Sequence, residues 1–139
     1  MPTQQSPNSD APTRLRTLSD VDRAAAISKA VSTAAGLKLA AEIQAVSYRG
    51  YLGRRGPFKE PTRLVFELFA ADDGQDANEC VAALRSIPDQ SMSDAIANAL
   101  GKLAGEAYEA EIAEKRFMSG KRSRHVASFT ALIAKSPDT

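Results

Sequence analysis

The sequence predicts an α+β domain: a small sheet with helices packed on one face. Three observations carry this. Apolar residues recur at helical spacing from Leu18 to Gly36 and again from Met92 onward. Three other stretches, 39–48, 63–70 and 125–135, alternate with a period of two. The chain has 139 residues, 43% hydrophobic and 25% charged, which suits one domain with a core of its own.

Residues 1–14 are Pro, Ser, Gln, Asn and Thr with little to bury. Ordering them would cost about 1–2 kcal/mol per residue in backbone entropy, so a disordered tail is expected before a single domain over 15–139. The first helix starts near Leu18, where Ser19 and Asp22 have capping-box spacing. Its apolar face is Val21, Ala24, Ala25, Ile27, Ala30, Val31 and Ala34, and Gly36 suits the position past its end. In the first strand Leu39, Ala41, Ile43 and Ala45 face one way; in the second, Leu64, Phe66, Leu68 and Ala70 do. The glycines and prolines of 50–61 make the segment between them a long hairpin tip.

"ADDGQD" reads as a turn, and "ANECVAALRS" as a short helix, with a strand as the alternative. The next helix opens at Ser91 or Ser93. Its stripe runs through Met92, Ile96, Ala99, Leu100, Leu103 and Ala107 to Ile112, with Glu111 and Lys115 as an i,i+4 pair. "SGKRSR" breaks that pattern, and residues 125–135 form the last strand, with Ala127, Phe129, Ala131 and Ile133 on one face. No internal repeat is evident.

The expected order is therefore helix, strand, strand, helix, helix, strand. A helical crossover favours parallel directions for the second and last strands. The expected sheet is three-stranded and antiparallel or mixed, with the first strand between the second and the last. So thin a sheet leaves a face and two edges to cover, which points to homo-oligomerisation.

Charge is balanced, with 18 basic and 17 acidic side chains, so only its distribution could select a partner. The single cysteine, Cys80, excludes an internal disulfide and a thiolate metal cluster. The start lacks an apolar signal region and no apolar run approaches about 18 residues, so a cytoplasmic protein with no membrane partner is expected. His125 is the only histidine, and no nucleophile or orienting group is identifiable beside it. Asp72, Asp73, Asp76 and Glu79 lack the register of a calcium loop. No catalytic residue, cofactor or metal is expected.

Two basic clusters remain. The first is Arg49, Arg54, Arg55, Lys59 and Arg63, interleaved with Tyr48, Tyr51 and Phe58. The second is Lys115, Arg116, Lys121, Arg122 and Arg124, with Phe117 and His125. Arginine forks and aromatic faces are the parts that hold phosphates and stack bases. With the last strand beside the first, both clusters would share one end of the sheet.

Two fragments resemble known families. "RAAAISKAVSTA" is similar to a helix of Alba-type chromatin proteins, but the strand–helix–strand that should precede it is missing. "GPFKEPTRLVFEL" with "SMSDAIANALGKLA" is similar to double-stranded-RNA-binding domains, but Met92 to Asp94 replace that family's paired lysines. Neither family is assigned. The expectation is a non-catalytic binding domain that grips nucleic-acid phosphates through the two basic loops. The alternatives are a protein-interaction or assembly component that associates through its sheet, and a small enzyme or ligand-binding domain.

Overall fold

The structure, a computed structural model, describes residues 13–47, 62–72, 74–118 and 124–136. The elements are α1 (Thr13–Thr17), α2 (Asp20–Ala35), β1 (Leu39–Ser47), β2 (Thr62–Ala70), α3 (Ala77–Arg85), α4 (Asp89–Ala104), β3 (Tyr108–Phe117) and β4 (His125–Lys135). The four strands form one sheet in the order β1-β2-β4-β3, with every neighbouring pair antiparallel. α2 packs on β1, α4 packs on β3, and the two helices pack on each other.

The α+β class agrees with the sequence; the expected strand number and order do not. Residues 108–117 were expected to continue the preceding helix, but they form an edge strand. α4 ends because Gly105 adopts a left-handed φ of 77° and donates to the Gly101 carbonyl. The crossover argument holds, but for a different strand: β2 and β3 are parallel, and β4 lies antiparallel between them. The Glu111–Lys115 helical pair is lost with that helix; Lys115 Nζ instead reaches Asp89 Oδ1 at 2.6 Å.

Local sequence explains the other elements. Ser19 caps α2 by accepting from the Asp22 amide at 3.1 Å, and Gly36 ends it at φ 78°. Residues 77–85 are helical, and Asp76 caps them through the Asn78 amide. The buried face of α2 is Arg23, Ile27 and Val31; Val21, expected on that face, is 77% exposed. A bulge between Ile43 and Ala45 turns Val46, rather than Ala45, towards the helices. Phe66 and Phe129 face each other across β2 and β4 and stack at 5.7 Å in the core.

An internal repeat emerges from this topology, contrary to the sequence reading. Leu15, Arg16, Asp20, Ala26, Ile27, Ala30, Ala35, Gly36, Ala41, Glu42 and Ile43 recur, 69 positions later, as Leu84, Arg85, Asp89, Ala95, Ile96, Ala99, Ala104, Gly105, Ala110, Glu111 and Ile112. α2 and α4 are both 16 residues long and both end on a left-handed glycine. β1 and β3 carry their bulges at equivalent places, Ile43/Ala45 and Ile112/Glu114. The two units meet through β2 and β4 about a local twofold axis at the Val65–Thr130 pair. The repeated residues are mostly the ones such a layout fixes: Ile27 and Ile96 are both fully buried.

Candidate functional site

Most of the sequence-identified site residues lie outside the described residues: Arg49, Tyr51, Arg54, Arg55, Phe58 and Lys59 in the first cluster, Lys121 and Arg122 in the second. The remaining four are separated by the sheet. Arg63 is the second residue of β2, opposite Ser47 and Leu132. Arg124 lies beyond the other end of β2, where its guanidinium donates to the carbonyls of Ala70 at 2.9 Å and Ala71 at 2.6 Å. At about 3.4 Å per strand residue, seven residues of β2 put these ends about 24 Å apart. The strand pairing from which a meeting of the two clusters at one end was expected is overturned, because β4 pairs with β2 and not with β1. Arg116 is exposed on the face away from the helices, opposite Ser128; Lys115 is tied to Asp89 on the helix side.

That helix-free face carries Arg63 and Arg116, but also Glu42, Glu67, Glu109, Glu111 and Glu114. Gln44 donates to both Glu42 at 3.1 Å and Glu67 at 3.2 Å, which relieves the two carboxylates paired across β1 and β2. Leu132 on the same face is 0% exposed, outside the helix-side core cluster.

His125 stacks on Phe69 at 5.0 Å. Its Nε2 lies 3.2 Å from the Ala127 carbonyl, 3.4 Å from Ser128 Oγ and 3.8 Å from Glu67 Oε2. A hydrolytic relay needs hydroxyl and carboxylate on opposite ring nitrogens, and here both approach the same one. The arrangement is a stacked, hydrogen-bonded strand start. Burial, with help from Asp76 and Glu79, raises the Cys80 thiol above its usual range, so it stays a protonated core residue. Among the described residues no group of three or more His, Cys, Asp and Glu is placed to hold a metal ion. None of their helices is long and apolar enough to cross a membrane.

No protein-family model, curated protein or solved structure matches the chain.

The sequence reading missed the surface along β3. This strand is an edge of the sheet, and among the described residues it pairs only with β4. Between it and α4 runs an open cleft of about 650 Å³. Ala97, Ala110 and Ile112 supply apolar lining, and Asp89, Asp94, Glu109 and Glu111 supply carboxylates. At its continuation Tyr108 donates to Glu106 Oε1 at 2.6 Å. Burial first, then that carboxylate, hold the phenol protonated well above its usual range. Two signals in the sequence could have revealed this surface: the alternation of Tyr108, Ala110 and Ile112 with Glu109 and Glu111, and the recurrence of Ala41-Glu42-Ile43 as Ala110-Glu111-Ile112.

Proposed function

We propose that this chain is a non-catalytic binding domain whose partners are proteins, engaged along its sheet. The observation that carries the reading is the pair of sheet-ending strands. β1 and β3 each pair on one side only among the described residues, and each lies beside a helix. An edge of this kind offers a row of backbone donors and acceptors to an added strand, and the neighbouring helix forms a cleft for its side chains. Compared with the three-stranded sheet expected from sequence, a fourth strand joined through an internal twofold lessens the need for self-association.

The nucleic-acid reading keeps its basic side chains but loses the argument that joined them, since Arg63 and Arg124 mark opposite ends of β2. The surface between is rich in glutamate, which repels phosphate.

The test compares two kinds of ligand on the same protein. Random displayed peptides are selected against the immobilised chain, and short single-stranded and duplex oligonucleotides are titrated at physiological salt. The reading expects enriched peptides that shift amide resonances of β1 or β3, and no oligonucleotide binding. It is overturned if no peptide is enriched while oligonucleotides bind with steep salt dependence and lose affinity in an Arg54→Ala/Arg55→Ala variant.

A further inference from the structure

The internal repeat gives the molecule two clefts on one scaffold. The cleft between α2 and β1 is lined by nine residues, Asp20 to Ser28 on the helix and Ala40 to Ile43 on the strand. All nine have their 69-residue equivalents in the lining of the cleft between α4 and β3. Asp20/Asp89, Ala41/Ala110, Glu42/Glu111 and Ile43/Ile112 are unchanged between them. Five positions differ, and all but Ser28, which becomes Ala97, shift towards polarity or negative charge in the second cleft. Ala24 becomes Ser93, Ala25 becomes Asp94, and Ala40 becomes Glu109.

Asp89 in the second cleft is engaged by Lys115, and among the described residues Asp94 accepts from the neutral Gln90 amide. Asp94 and Glu109 therefore bring carboxylates that the first cleft lacks, and among the described residues no basic side chain lines the second. Ser93 is 4% exposed and lines this cleft.

From these observations we propose that the cleft between α4 and β3 binds an extended peptide segment in which basic and apolar residues alternate, laid antiparallel or parallel along the free edge of β3. The proposal rests on the protein-binding reading above. An added strand sends successive side chains to opposite faces of the sheet. Its apolar residues would enter between the helix and β3, against Ala97, Ala110 and Ile112. Its basic residues would lie on the other face beside Glu109, and a terminal one would reach Asp94. The α2–β1 cleft has the same backbone layout without these two carboxylates, and it serves as the control within the same molecule.

The probe is a peptide alternating lysine and valine over about ten residues, the length of a typical strand. Its counterpart carries glutamate in place of lysine. Calorimetric titration of the full chain should show one lysine peptide bound, with affinity falling as salt rises, and no binding of the glutamate peptide. Asp94→Asn with Glu109→Gln, both near-isosteric at accessible positions, should weaken binding about tenfold, as two rim charge pairs would. Ala25→Asp with Ala40→Glu grafts the missing carboxylates onto the first cleft and should raise the stoichiometry to two. Far-ultraviolet circular dichroism checks that each variant is folded. Absence of lysine-peptide binding overturns the proposal. So does equal binding of the glutamate peptide, an unchanged affinity in the amide variant, or a graft that leaves the stoichiometry at one. Displayed peptides of other composition that map to β1 would leave the protein-binding reading standing and remove only this assignment.

Discussion

Replacing Gly101 by alanine sets two effects of known sign against each other. Gly101 lies in the last turn of α4, and alanine in a helix interior is favoured over glycine by about 1 kcal/mol. A methyl group there would sit 2.6 Å from the Glu106 carbonyl oxygen and 3.9 Å from Tyr108 Cδ2. The oxygen belongs to backbone, so no rotamer change relieves the clash. That backbone is pinned close by: the Gly101 carbonyl accepts from the amides of Gly105 at 2.7 Å and Glu106 at 3.1 Å. Moving it aside strains the helix cap and the entry to β3. Overpacking of a well-filled site costs about 1–3 kcal/mol, and the rigid partner argues for the upper end. The net expectation is a loss of about 2 kcal/mol. For a chain of this size that lowers the melting temperature by about 7 °C. Urea unfolding followed by circular dichroism, with an unchanged m-value, measures it directly. The equivalent position in the first unit is Ser32, whose side chain is used there: its hydroxyl donates to the Leu39 carbonyl and accepts from the Leu39 amide. A Gly101→Ala protein more stable than wild type would show that helix propensity outweighs the contact and would refute the packing drawn at this turn.

Other consequences follow from the same packing. Ile27→Ala and Ile96→Ala remove equivalent, fully buried side chains, so each should cost about 2–5 kcal/mol and the two losses should lie close together in chemical denaturation. The Tyr108 phenol is held protonated in the fold, whereas in the unfolded chain it ionises near 10. Above about pH 10 the unfolded state therefore loses a proton that the folded state keeps, and stability falls as pH rises; Tyr108→Phe should flatten that alkaline decline. Arg124→Ala removes the guanidinium from the Ala70 and Ala71 carbonyls and should cost about 1–3 kcal/mol, seen as faster amide exchange at the end of β2.

The sequence made some elements legible because their signals are local. Ser19 and Gly36 delimit α2, Asp76 caps α3, and the alternation through Phe129 and Ile133 marks β4. The edge strand β3 was hidden because Ile112 continues the helical spacing of Leu100 and Leu103, while the helix stop depends on Gly105 adopting a left-handed conformation. Without that strand, the crossover from β2 had to be assigned to β4, which reversed the sheet order and brought the basic clusters together. Arg124 reads in sequence as a cation for a partner, but it is committed to carbonyl groups of its own chain. The acidic cleft became visible only once β3 was a strand, since a helix would have scattered Glu109 and Glu111 around its circumference. The repeat was obscured because β2 and β4 carry no identical residue at their equivalent positions, and the segments joining the strands differ in length.

The most direct measurement of the central claim is amide hydrogen exchange, resolved by residue, with and without the lysine–valine peptide. The account predicts that alternate amides of β3, those directed away from β4, become protected on binding while β1 is unchanged. Protection confined to β1, or absent from both edges while the β2–β4 end near Arg124 responds, would contradict it.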